Sequence, residues 1–142
     1  MTIATILSGK GAEVTTITAE HTVADAVKLL AEQRIGAVPV MRDGAVAGIF
    51  SERDVIHCLA EHGAAGLQRS VGDAMTAPAI TVVRDQAVLG ALTLMTQRRI
   101  RHLPVVEGGT LVGLVSIGDL VKYRIDRIEA DAAAMREYIQ SV

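Results

Sequence analysis

The sequence predicts an α+β fold in which one strand–helix–strand–strand–helix unit is used twice. Three observations carry this expectation. Slid against itself by 65 positions, so that Pro39 falls on Pro104, the 142-residue chain matches itself without a gap. Arg34-Ile35 falls on Arg99-Ile100, Gly44 on Gly109, Gly48 on Gly113, Ser51 on Ser116 and Asp54 on Asp119. Within each copy the apolar pattern changes from strand to helix spacing and back. Turn-forming pairs stand at matching places, Asp43-Gly44 and Gly108-Gly109, and Asp-Gly is a strong hairpin signal. A unit of about 50 residues buries too little surface alone. The two copies are therefore expected to pack their sheets face to face about a pseudo-two-fold axis.

Each element follows from local pattern. Residues 1–13 form an N-terminal segment, and repeat one covers 14–62. It opens with a strand, Val14–Thr18. Thr22 then offers a helix N-cap with Asp25 three residues on, a capping-box spacing. Val23, Ala26, Val27, Leu29 and Leu30 make the buried stripe of the helix. The hairpin follows, "GAVPVM" turning at Asp43-Gly44 into "AVAGIF", and a second helix starts at Ser51. "EHGAAGLQRS" reads as connector, placed at 63–74, with "VGDAM" a short helix stopped by Pro78. Repeat two covers 75–125, with its first strand at Ala79–Val83 and a helical stripe of Val88, Ala91, Leu92, Leu94 and Met95. Residues 126–142 extend the last helix.

Composition narrows the function classes. The net charge is −2, half the residues are apolar, and there is no Trp, one Phe and two Tyr. The near-neutral balance gives no basic field for nucleic acid, and stacking platforms are scarce. One cysteine, Cys58, allows no internal disulfide. No apolar run approaches the roughly 20 residues that span a bilayer, and the first residues lack a signal-peptide layout. A soluble, cytoplasmic protein without membrane or nucleic-acid partners is expected.

The repeated motif is Gly-h-h-Ser-x-x-Asp-h, "GIFSERDV" and "GLVSIGDL". Its structural reading is a capping box in which Asp also suits the positive end of the helix dipole. Gly48 and Gly113 would relieve packing or allow a bulge. Its functional reading uses the same geometry. Free N–H groups at a helix start favour an anion such as phosphate, the serine hydroxyl adds a donor, and the aspartate can accept from a vicinal diol such as ribose.

The gapless pair, with "RHLPVV" before the hairpin and "GIFSERDV" and "GLVSIGDLVKYRI" after it, resembles tandem cystathionine β-synthase (CBS) domains, a Bateman module. The resemblance runs from about Val14 to the helix after Asp119 and is close to small stand-alone bacterial members. It implies an adenosine-containing ligand (AMP, ADP, ATP, an NAD-type dinucleotide or S-adenosylmethionine) in the cleft between repeats. It implies no covalent or metal cofactor. By resemblance Asp54 and Asp119 hold ribose hydroxyls, and Ser51 and Ser116 lie near phosphate. Thr16, Ile17, Ala37 and Val38 frame one base, and Thr81, Val82, His102 and Leu103 the other.

The two pockets are expected to differ. Repeat one has "RIGAVP" and repeat two "RIRHLP". Arg101 and His102 are candidates for a phosphate clamp, because Arg grips phosphate through forked hydrogen bonds. Arg98 reads as a solvated helix end. Arg53 is a further phosphate candidate, and its counterpart is Gly118.

Other patterns carry less. His57 and His62 are five apart, poor spacing for one helical face, so no metal site is expected. "SGKG" lacks the full phosphate-loop pattern, there is no Gly-x-Gly-x-x-Gly, and no catalytic set has motif support. Val121, Ile125, Ile128, Ala132, Met135 and Ile139 form a heptad-like stripe, which points to a two-fold homodimer. The expected function is a regulatory nucleotide sensor that is not an enzyme and acts through an effector protein or its own oligomer. The alternatives are an interaction module with vestigial pockets, or inosine-monophosphate dehydrogenase, whose barrel of about 250 residues this chain cannot hold.

Overall fold

A computed structural model gives the fold and describes residues 1–11 and 13–141. Residues 12 and 142, counted above in the N-terminal segment and the C-terminal extension, lie outside the described residues. Helix α1 (Ile3–Lys10) leads to β1 (Ile17–Thr18), α2 (Val23–Gln33), β2 (Ala37–Arg42), β3 (Ala45–Ser51) and α3 (Glu52–His62). A 3-10 helix (Gly63–Gln68) and α4 (Val71–Ala74) connect to α5 (Val88–Arg98), β4 (His102–Glu107), β5 (Thr110–Ser116) and α6 (Ile117–Gln140).

The two hairpins are near copies. β2 and β3 pair antiparallel from Ala37–Ser51 to Arg42–Ala45, and β4 and β5 from His102–Ser116 to Glu107–Thr110. Both registers slip at the same place, between Val40 and Met41 and between Val105 and Val106, just past the partners Gly48 and Gly113. Asp43-Gly44 and Gly108-Gly109 all have positive φ, the backbone that a two-residue hairpin turn requires. Thr22 and Asp25 complete the expected capping box of α2.

The first strands are shorter than the sequence suggests. β1 is only Ile17–Thr18, parallel to β2 at Val40 and Met41. In repeat two the expected strand Ala79–Val83 shrinks to a single bridge, Val82 to Val105. β-branched residues favour extended backbone, but a strand also needs a partner edge, and the hairpin meets this segment over two residues or fewer. The connector is likewise more ordered than a loop. Its 3-10 helix packs on α3, where the Cys58 thiol donates to the Gly66 carbonyl at 3.4 Å. Helix α4 ends at Ala74, short of the expected stop at Pro78, because Thr76 leaves to pair with Ile49 of β3 through two bonds of 2.9 Å.

The chain builds two cores, and each borrows a helix from across the molecule. Val71 of α4 packs with Ile17, Val23, Ala26, Leu30, Val38, Val40, Phe50 and Cys58. Ile3, Ile6 and Leu7 of α1 pack with Val82, Val88, Ala91, Met95, Leu103, Val105, Val115 and Leu120. The borrowed helices dock alike. Ile3 N–H donates to Gln86 O at 2.9 Å and Ala4 N–H to Arg84 O at 2.9 Å. Val71 N–H donates to His21 O at 2.7 Å and Gly72 N–H to Ala19 O at 2.9 Å. These four bonds equate α1 with α4 at a separation of 68 residues, three more than the 65 that relates the rest of the two copies.

Candidate functional site

The motif folds as its spacing dictates. Ser51 caps α3 and Ser116 caps α6, each in extended backbone. Ser51 N–H donates to Asp54 Oδ2 at 2.9 Å, and Ser116 N–H to Asp119 Oδ2 at 2.9 Å. The return bonds, aspartate N–H to serine Oγ, are 3.4 and 3.1 Å. Both boxes are complete, so the structural reading of the motif holds in both copies.

The two carboxylates nevertheless differ. Asp54 is buried, 9% exposed. Besides its cap it accepts from the Thr76 hydroxyl at 2.8 Å on Oδ1. Asp119 is 27% exposed in its side chain and pairs with Lys10 of α1, Nζ to Oδ2 at 2.5 Å. The same ammonium donates to the Leu114 carbonyl at 2.8 Å. Burial pushes the Asp119 carboxyl upward, but the bonds from Lys10 and Ser116 outweigh it and hold the group below its ordinary value.

A cavity of about 680 Å³ opens beside Asp54, between the repeats. One wall is Ser51, Glu52, Arg53 and Asp54 at the start of α3, with Ile49 and Ile56. The facing wall is Thr76, Pro78, Ala79 and Ile80, then Arg98 through His102. Arg53 Nη1 reaches across to donate to the Arg99 carbonyl at 3.2 Å. Arg99 itself holds a left-handed φ of 54° as the C-cap of α5. The wall thus carries Arg53, Arg98, Arg99 and Arg101 against Glu52 and Asp54, a positive surplus suited to an anion. Gly36 leaves this part of the cavity open. A Cβ on it would stand in ordinary contact, 3.6 Å from His102 Cε1 and 3.7 Å from Glu52 Oε1.

The structure gathers some of the expected site residues and disperses others. Ser51, Arg53, Asp54, Arg101 and His102 share this cavity. Ser116 and Asp119 lie at the other half, under Lys10. The expected base-framing residues are dispersed. Ala37, Val38, Val82 and Leu103 are buried in the cores and do not line the cavity. Their side chains are spent on packing the sheets. Thr16 and Ile17 line a separate cleft of about 290 Å³ with His21 and Asp25. Thr81 is exposed and lines neither. The apolar wall that a base could use is Ile49, Ile56, Ala79 and Ile80. Arg98, read as a solvated helix end, lines the cavity as well. Thr76 and Lys10 bear no motif, and only the exchange of α4 and α1 brings them to the aspartates. No cluster of three His, Cys, Asp or Glu that could hold a metal occurs among the described residues, and none of the described helices is long and apolar enough to cross a membrane.

His102 links the two halves. Burial lowers its pKa from the ordinary 6.5, and the ammonium of Lys10 lowers it further; Asp119 and Glu52 oppose, and Arg101 adds to the lowering. Below 6.5 the unfolded chain therefore takes up a proton that the folded histidine resists. Stability from this group is full above 6.5 and is lost as the pH falls through the folded value. The urea midpoint should drop between about pH 7.5 and about pH 5.5, and His102→Asn should shrink that drop. An equal drop in the variant assigns the pH dependence elsewhere.

A duplicated α+β unit with an arginine-rich cleft between its copies defines a class of tandem-domain proteins. A family model described as "CBS domain" matches residues 11–61 and 71–126, and the chain belongs to the CBS-domain family as a tandem pair. It is 38% identical over 128 residues to the mitochondrial CBS domain-containing protein CBSX3 of Arabidopsis thaliana, covering 87% of this chain and 62% of that protein. The chain thus spans less than two thirds of that relative. A crystal structure of a CBS-domain containing protein from Agrobacterium tumefaciens superposes with a TM-score of 0.83 at 40% identity, over 87% of this chain and 92% of that one. CBSX2, crystallised in complex with AMP, superposes with a TM-score of 0.70 at 25% identity, over 80% of this chain and 89% of the other.

Proposed function

We propose that this CBS pair is a regulatory sensor of adenosine nucleotides, with AMP, ADP, ATP or an NAD-type dinucleotide bound in the Asp54 cavity, and that it is not an enzyme. One observation carries the reading. A single cleft of about 680 Å³ joins a capped helix start, a buried carboxylate and four arginines from both repeats. That volume lies within the roughly 300–1,000 Å³ of ligand pockets. The positive end of α3 and the arginines suit phosphate, Asp54 suits a ribose diol, and Ile49, Ala79 and Ile80 suit a purine face. The AMP complex of CBSX2 supports the choice of ligand class. The positive surplus disfavours S-adenosylmethionine, whose sulfonium would meet it.

A nucleotide touching both repeats shifts their arrangement only as far as it binds one arrangement better. The output passes to an effector protein or through the oligomer. α6 is 24 residues long, about 36 Å at 1.5 Å per residue. Along it Val121, Ile125, Ile128, Met135 and Ile139 stand 41–65% exposed in one stripe, the face of a two-fold homodimer. The free, buried thiol of Cys58 fits a reducing, cytoplasmic setting. Native mass spectrometry of protein purified without added ligand tests the reading: dimers carrying an adenosine nucleotide are expected. Protein that stays empty, and whose melting temperature is unmoved by added AMP, ADP, ATP and NAD, overturns it.

A further inference from the structure

The two halves of this pair are not two versions of one site. We infer that Lys10 closes the Asp119 half-site against nucleotide, so that the pair binds one adenosine nucleotide per chain, on the Asp54 side. This rests on the nucleotide reading above and goes beyond it.

The argument starts from what each aspartate meets. On the Asp54 side, Thr76 donates its N–H to the Ile49 carbonyl and its hydroxyl to Asp54. On the other side, one ammonium makes both equivalent bonds. Lys10 Nζ donates to the Leu114 carbonyl and to Asp119, and Leu114 and Asp119 are the counterparts of Ile49 and Asp54. The substitution changes the chemistry. A hydroxyl leaves Asp54 its negative charge and remaining acceptor sites, so a ribose diol can join it. An ammonium neutralises Asp119 through a charge-assisted bond, and a ribose hydroxyl that displaces it is a weaker partner. The exchange also comes with a change in the backbone. α1 stays helical through Lys10, whereas α4 stops at Ala74 and frees Thr76 to pair with β3.

A second observation is independent of Lys10. Four arginines line the Asp54 cavity, and the matching places in the other half hold two. At the offset of 65, Arg53 becomes Gly118 and Arg98 becomes Gln33, Gly36 and Arg101 exchange places, Pro78 becomes Glu13 and Glu52 becomes Ile117. The two arginines of the other half are Arg34, the counterpart of Arg99, and Arg101, the counterpart of Gly36. A phosphate placed beside Asp119 would find half as many arginines against the same number of carboxylates. Lys10 is the cation nearest at hand there, and Asp119 already holds it.

Calorimetric titration with AMP separates the outcomes. The wild-type dimer or monomer should saturate near one AMP per chain. Lys10→Met keeps the aliphatic stem and removes the ammonium. It should saturate near two per chain, the added site at least tenfold weaker because it has two arginines where the first has four. Lys10→Arg keeps a cation and should stay at one. Thermal melts of the same samples show that each variant is folded, and Lys10→Gln replaces Lys10→Met if α1 has loosened. Two AMP per chain in the wild type, or one in every folded variant, overturns the inference and leaves the nucleotide reading standing. No AMP bound by any of them overturns both.

Discussion

Gly48→Ala lowers the stability of this protein by about 3 kcal/mol, and its counterpart Gly113→Ala by about 1 kcal/mol. The difference lies in what a Cβ would strike. At Gly48 it would stand 2.6 Å from the backbone oxygen of Thr76 and 2.7 Å from Met75 Sδ. That oxygen accepts from Ile49 N–H in the paired bonds that hold the connector on β3, so relief means pulling the connector away. At Gly113 a Cβ would meet the two methyl ends of Leu7, at 2.7 and 2.8 Å. A side-chain end can rotate at modest cost even in a packed core. Urea unfolding of the two variants measures the gap, and equal losses would show that the connector yields as easily as a leucine. Gly48→Ala should also weaken AMP, because Thr76 lines the cavity.

Asp54→Ala reduces AMP affinity by at least roughly 100-fold, since two hydrogen bonds to a charged group contribute about 1.5–3 kcal/mol each. It also costs about 2–3 kcal/mol of stability. The carboxylate is the partner of Ser51 N–H and of the Thr76 hydroxyl, and both lose it at once. A domain of ordinary stability, about 5–15 kcal/mol, survives that loss, so binding can be read on folded protein. AMP affinity within threefold of wild type in folded Asp54→Ala confines Asp54 to its capping role.

Much of the fold was legible because it is local. Capping boxes, hairpin turns and helix stripes depend on spacings of two to four residues, and a gapless repeat shows each of them twice. Ser51, Asp54, Arg53, Arg101 and His102 could be singled out for the same reason, through motif and charge. Thr76 and Lys10 could not. Their roles depend on which helix crosses to which core, and the crossing helices match at 68 where the repeat matches at 65. Residues that frame the cavity also escaped, because strand pattern gives burial without saying against what. Val38 and Leu103 are as apolar and as regularly placed as Ile49 and Ile80, yet the first two fill cores and the last two face the cleft.

The exchange of α1 and α4 has a consequence for how this molecule can be divided. Cut the chain at residue 70 and neither fragment is whole. The first keeps a leading helix whose hydrophobic side, Ile3, Ile6 and Leu7, has no host. It also lacks the Val71 that would stopper its own barrel of side chains. The second fragment carries α4 as its own loose leader and leaves vacant the berth that Ile3 filled. Each piece is a lock holding the other's key. One repeat by itself can become complete only by meeting another and trading first helices, so in this architecture joining the two repeats in a single chain is a way of making that trade permanent.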